Sequence, residues 1–186
     1  MKTRFAAMAL AGLLAGTMAA QAKELAGVKV PDTLIAGGQT LTLNGLGLRK
    51  KAIFSVYVGG LYLVAPSKDA AAVLAADAPK AVSMHFLRGV TKPQLIDAFR
   101  EGFEGNAKEK AAAQNANVQR LFGMLADVKE GDIMVFSYVP GQGTTAAKGE
   151  RVIGLIEGKE FADVIFALWL GPKPPTEELK KGMLGT

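Results

Sequence analysis

The chain has 186 residues, 49% of them hydrophobic, with 22 Lys+Arg against 17 Asp+Glu and no Cys. That is the length of one domain with ample material for a core, which excludes a disordered tail, a collagen-like fibre and a disulfide-stapled miniprotein. With no cysteine and His85 as the single histidine, thiolate catalysis, zinc ribbons, cysteine-ligated iron–sulfur clusters and His-rich metal sites are excluded, and no metal or cofactor is expected.

Met1–Arg4 carries two positive side chains, Phe5–Ala20 is uncharged and rich in Ala, Leu, Gly and Met, and Ala20-Gln21-Ala22 ends in small residues. This is the pattern of a secretory signal cleaved after Ala22, and its short basic start suits bacterial export. The expected mature domain is 23–186, at a periplasmic or secreted address. No later run is long enough for a stable membrane span; Phe161–Leu170 is about half a span. The basic residues are scattered and follow no nucleic-acid-binding motif, so a nucleic-acid partner is not expected.

Val28–Val30, Thr33–Ile35 and Gln39–Leu48 read as strands, with Gly37-Gly38 between the last two. Ala52–Ala65 reads as a long strand that is apolar on both parities and therefore covered on both faces. Gly59-Gly60 in its middle marks a bulge or a close approach. Lys68–Leu74 follows as a short helix with Ser67 as its expected cap, then strand Ala81–Leu87. Thr91 caps the next helix, Pro93 sits in its first turn, and Leu95, Ile96, Phe99 and Phe103 form its apolar stripe before Gly105-Asn106 closes it. Glu109–Ala126 reads as one further helix. Asp132–Val139, Thr144–Ala147 and Arg151–Ile156 are strands joined by hairpin-length turns. Phe161–Leu170 is an apolar helix stopped by Gly171-Pro172, and Glu177–Met183 is a last helix capped by Thr176. Strands, helices, strands, helices, with antiparallel hairpins late in the chain, give an α+β domain: one antiparallel sheet with helices on one face.

The segment that invites chemistry is Asn44-Gly45-Leu46-Gly47-Leu48-Arg49-Lys50-Lys51. Two readings stand: a flexible glycine turn whose Arg49 holds an anion or a developing oxyanion, or a hairpin turn with solvated charges. A dinucleotide loop is excluded, because the third glycine is missing and a strand follows. His85 falls on the parity opposite Met84 and Phe86, the less buried face. Trp169 reads as a packing anchor, and Glu101 with Glu104 as a solvated helix face.

The stretch Leu43-Asn44-Gly45-x-Gly47-x-Arg49-Lys50-Lys51, followed by Val56-Tyr57-Val58-Gly59-Gly60-Leu61-Tyr62-Leu63, resembles the secreted bacterial branch of the chalcone isomerase-like family. His85-Phe86-Leu87-Arg88, Glu101-Gly102-Phe103, Gly131-Asp132, Pro140-Gly141-x-Gly143-Thr144 and Leu168-Trp169-Leu170-Gly171 continue the likeness. The resemblance implies an open-faced β-sandwich, an antiparallel sheet with helices layered on one face and a pocket between. It also implies that Arg49 faces a ligand and that Tyr57 joins it in holding a carboxylate. Where the isomerases carry a Thr on the long strand and a Tyr and an Asn on a later helix, this chain has Tyr57, Leu95 and Gly102.

The expected function is therefore non-catalytic binding of a small amphipathic anion such as a fatty acid. The expected ligand-binding residues are Arg49, Tyr57, Arg88, Phe99 and Phe103, with Leu61, Leu63 and Leu95 as further candidates for an apolar cleft. Two alternatives stay open: an isomerase or intramolecular lyase acting on an enone or chalcone-like substrate, with no catalytic residue assigned, and a cell-envelope interaction module.

Overall fold

The computed structural model describes residues 22–186. The expected signal segment therefore lies outside the described residues, apart from Ala22. Strands β1 (Ala22–Leu25) and β2 (Val28–Pro31) pair as a hairpin across Ala26 and Gly27, both at positive φ. The sequence reading contains only the second of these strands.

The main sheet holds β3 (Thr33–Ala36), β4 (Gln39–Lys51), β5 (Phe54–Leu63), β6 (Lys80–Phe86), β7 (Ile133–Val139), β8 (Gly143–Lys148) and β9 (Arg151–Ile156). They lie side by side in chain order and every neighbouring pair is antiparallel. Helix α1 (Ala70–Ala75) links β5 to β6, and α2 (Lys92–Asn106), α3 (Lys108–Ala113) and α4 (Asn115–Met124) link β6 to β7. Helices α5 (Lys159–Leu170) and α6 (Glu177–Leu184) follow β9. No described helix is long and apolar enough to cross a membrane.

The helical layer covers one face of the sheet, the α+β arrangement expected from the order of elements. Its centre is α5, in which every residue from Phe161 to Leu170 except Asp163 is buried. Phe99, Phe136 and Trp169 interlock there with ring centroids 5.7–6.3 Å apart, spacings that aromatic pairs favour. The opposite face carries a smaller core in which Val30 of the terminal hairpin joins Leu41, Leu43, Val58, Tyr62 and Ala81. His85 lies on this second face, opposite Met84 and Phe86, yet it is only 7% exposed. Its Nε2 lies 3.2 Å from Ser83 Oγ, and burial lowers its pKa.

Local chemistry explains the helix ends. Thr91 and Gln94 form a reciprocal capping box at the start of α2, with Pro93 in the first turn. Thr176 Oγ1 accepts from Leu179 N at 3.2 Å and starts α6. At α1 the cap is Asp69, not Ser67: Asp69 Oδ1 accepts from Ala71 N and Ala72 N at 2.8 and 3.1 Å, a carboxylate being well suited to a helix N-terminus. Ser67 Oγ instead accepts from Asp69 N. The expected single helix over Glu109–Ala126 is two helices that break at Gln114. There Asn117 Nδ2 donates to Gln114 Oε1 at 2.7 Å, a local side-chain bond of the kind that competes with continuous helix.

The largest correction concerns the glycine segment. Asn44–Lys51 is not a turn; it is the second half of β4, and the chain reverses only at Ala52-Ile53. Asn44 is a bulge, for Leu43 pairs with Tyr62 and Gly45 with Leu61. One extra residue exchanges the two faces of a strand. Before the bulge, Leu41 and Leu43 point into the smaller core. After it, Leu46 and Leu48 take that side, while Gly45, Gly47 and Arg49 turn to the helical face. The bulge is held by three hydrogen bonds. Asn44 Nδ2 donates to Ser67 O and Met183 O, both at 2.9 Å, and Asn44 Oδ1 accepts from Ser67 N at 2.8 Å.

Gly45 and Gly47 let α6 lie directly on the strand. A Cβ at Gly45 would collide with the Gly182 carbonyl, and one at Gly47 with that of Leu179. Gly59-Gly60 contains no bulge; it is the close approach, with Leu179 over Gly59 and Ser83 against Gly60.

Candidate functional site

Beyond Gly47, the helical layer lifts away from the sheet and leaves a cleft of about 860 Å3, within the usual range of small-molecule sites. Its floor is β5 and β6, through Val56, Tyr57, Met84 and Phe86. Leu95 and Phe99 of α2 form one wall, and Leu168 and Trp169 of α5 close the inner end. Lys173-Pro174-Pro175, after α5, forms part of the rim. Asn106 ties that segment to the end of α2, its Nδ2 donating to Lys173 O at 2.8 Å and its Oδ1 accepting from Lys173 N at 2.6 Å.

The depth of the cleft is apolar and its rim is charged. Arg49, Lys51 and Arg88 stand on the sheet side; Glu101, Glu104, Lys108 and Lys173 stand on the helix side. Glu104 is paired with Lys108 at 2.6 Å, so the cations outweigh the remaining carboxylate. Two guanidinium groups lie over aromatic rings. The Arg49 guanidinium carbon is 5.8 Å from the Tyr57 ring centroid, and that of Arg88 is 4.4 Å from the Phe54 ring. A second bulge, at Val56, lets Val56 and Tyr57 both line the cleft: Arg49 pairs with Tyr57, but Lys50 already pairs with Ser55.

Tyr57 is the polar centre of this floor. It is 3% exposed, and its hydroxyl accepts from Trp169 Nε1 at 3.0 Å. Among the described residues nothing accepts the Tyr57 proton. Burial pushes its pKa up to about 12, although Arg49 and the Trp169 bond both work against the rise. The phenol is therefore neutral at ordinary pH, with its proton free to be donated. The other two tyrosines differ: Tyr62 donates to Pro31 O at 2.9 Å and Tyr138 to Asp77 Oδ1 at 2.6 Å.

Of the residues expected from sequence, Arg49, Tyr57, Arg88 and Phe99 meet at the cleft, as does Leu95. Phe103 does not line it. Its ring packs against Phe99 and Phe122, because the next turn of α2 points into the helical layer. Leu61 and Leu63 are likewise core residues. Sequence reasoning missed Trp169 as a partner of Tyr57, and missed Met84, Phe86 and the Lys173–Pro175 rim. One signal was available for Trp169: an indole N–H in a mostly apolar, buried helix must find an acceptor.

Among the described residues no cluster of His, Asp and Glu could hold a metal ion. The chemistry on hand is a cationic mouth, one phenolic donor and an apolar depth. That set can hold an anionic head group and bury a hydrocarbon tail.

A solved structure of similar fold is that of a fatty-acid-binding protein from Arabidopsis thaliana. It is 16% identical, the match covers 85% of this chain and 92% of that one, and the TM-score is 0.65. At that identity the likeness establishes the fold. No curated protein matches the sequence. The chalcone isomerase-like family model matches residues 22–185, the whole of the sheet and its helical layer, and the chain belongs to that family.

Proposed function

We propose that the cleft binds a small amphipathic carboxylate, with a fatty acid as the class it fits best, and that it does so without catalysis. The observation that carries this reading is the Tyr57 hydroxyl. Its oxygen is engaged by Trp169, its proton is uncommitted, and it sits beneath the Arg49 guanidinium at the floor of an apolar cleft. Arg49 would form a charge-assisted pair with the carboxylate and Tyr57 would donate to it. Arg88 adds positive charge at the same mouth. The tail would lie along Met84, Phe86, Leu95 and Phe99, each buried methylene adding about 0.8 kcal/mol, so affinity should climb with chain length.

The fold shared with a plant fatty-acid-binding protein supports this reading. The isomerase alternative has less behind it: at the two α2 positions where the isomerases carry a Tyr and an Asn, this chain lines the cleft with Leu95 and Gly102, and the α2 carboxylates Glu101 and Glu104 stand at the rim. An interaction module without a ligand is the reading that an unfilled cleft favours least.

The test is mass spectrometry of small molecules released from gently purified protein. A stoichiometric long-chain acid is expected in the wild type. Arg49→Ala should weaken binding about 10–100-fold, the range for a lost hydrogen bond to a charged group. Wild-type protein that releases no amphipathic acid and takes none up from solution would overturn the proposal.

We also infer that the chain is exported as a member of the secreted bacterial branch and loses residues 1–22. The support is the sequence pattern of that segment. An intact mass beginning at Lys23 is expected after expression in a bacterium, and a chain retaining Met1 would refute it.

A further inference from the structure

The tip of the β4–β5 hairpin is unlike the rest of the surface. Ile53 is 88% exposed, more than any other large apolar residue described, and its neighbour Phe54 is 52% exposed. Ala52 holds the turn at φ +52°, an uncommon conformation for a residue other than glycine, so the chain is bent tightly and projects these two side chains. Cations surround them. Arg49, Lys50 and Lys51 precede the tip, and Arg88 reaches the Phe54 ring from the end of β6. Among the described residues none of these four cations forms an ion pair. The run from Arg49 to Phe54 has no acidic residue to offset them.

Scattered exposed apolar residues are ordinary; an adjacent pair at a projecting turn inside a collar of unpaired cations is not. The combination suits one environment. The apolar tip enters the boundary between lipid head groups and acyl chains, while the collar meets anionic head groups. The tip is also continuous with the cleft: Arg49, Lys51, Phe54 and Arg88 line its mouth.

We propose that the β4–β5 tip, Lys50–Phe54 with Arg88, docks the protein on an anionic phospholipid bilayer and turns the mouth of the cleft toward that surface. An amphipathic acid could then pass between membrane and cleft with little exposure of its tail to water. That purpose rests on the proposed function of the cleft; the docking does not. The carboxylates that line the cleft, Glu101 and Glu104, belong to α2 on the far side from the tip, and Glu104 is already paired with Lys108.

The test uses the exported protein with two kinds of vesicle, pure phosphatidylcholine and an equal mixture with phosphatidylglycerol. Co-sedimentation is expected with the anionic vesicles only, weakening as salt is raised. The double variant Lys50→Glu/Ile53→Ser should bind them about ten-fold or more weakly, since a Lys near such a surface is reversed and the apolar tip is lost. Neither residue lines the cleft, so the variant should keep its bound acid. A second variant, Ile53→Trp, reports on the tip itself, and its fluorescence should shift to the blue with anionic vesicles. Anionic vesicles that leave the wild type in solution would overturn the proposal. So would equal binding by the double variant, or no blue shift from the tip tryptophan. An empty cleft on a protein that still docks would remove the purpose and leave the docking intact.

Discussion

One face of one sheet meets its helices in two different ways. At the middle of β4, α6 lies against the strand backbone to backbone, over Gly45 and Gly47. At the end of β4, the same face carries Arg49, paired with Tyr57, and no helix touches down. Only two residues separate contact from cleft. Side-chain size decides which occurs. Where no Cβ stands on the strand a helix can approach fully; where a guanidinium and a phenol ring stand, the layer is propped open. The same physics acts in the helices, where Gly102 brings α2 close to Leu168 of α5 and Phe99 holds the adjoining wall. The docked half is closed by backbone contact, and the cleft with its Arg49 and Tyr57 lies in the propped half.

Gly47→Val is the strongest way to break that contrast. Its side chain would collide with the Leu179 backbone, and overpacking of this kind costs about 3 kcal/mol. For a domain of this size that predicts a fall in Tm of about 6–12 °C by calorimetry. Next comes Asn44→Ala, which leaves Ser67 N and the Met183 carbonyl without partners. The expected loss is about 2 kcal/mol in a urea titration, with the bulge itself loosened. Arg49→Ala, two residues from Gly47, should do the reverse: bound ligand falls sharply, as above, while stability changes by less than about 1 kcal/mol. If Gly47→Val and Arg49→Ala proved alike in both assays, the division into a docked half and a propped half would be wrong.

These residues also mark what the sequence could and could not tell. The capping box at Thr91, the apolar run that becomes α5 and the alternation of Leu41 and Leu43 are local patterns, legible from side-chain chemistry along one element. The bulge at Asn44 is not local. A one-residue slip leaves no mark in composition, and it reverses which of the next side chains face the helices. A glycine segment reads as a turn unless the partner helix, some 130 residues later, is known to need the space. The family resemblance implies Arg49 and Tyr57 as partners, but a turn at Arg49 hides that the two stand opposite each other on paired strands. The Tyr57–Trp169 bond joins residues 112 apart in the chain and required the packed structure. Phe103 shows the opposite failure: it shares the stripe of Phe99, but one helical turn separates a cleft wall from a core.

The last predicted effect concerns pH and isolates Tyr57. Its pKa rises from 10.0 to about 12 on folding because the phenolate is desolvated. A raised folded pKa gives stability that is complete below pH 10 and is lost as pH climbs toward 12, since the unfolded chain ionises first. A two-unit shift corresponds to about 2–3 kcal/mol at full ionisation, an upper bound if the cleft admits water. Tyr62, raised to about 12 by burial, contributes in the same window. Lys80, lowered to about 8 by burial, acts with opposite sign below its ordinary pKa. Both are common to wild type and Tyr57→Phe, so they cancel in the difference. Urea titrations from pH 9 to 11.5 should therefore show the two proteins offset by a constant below pH 10. Above it they should converge, as the wild type loses stability that the variant does not. Parallel curves throughout would mean that the Tyr57 hydroxyl is already open to solvent, and the phenol would then lose its place as the buried donor at the floor of the cleft.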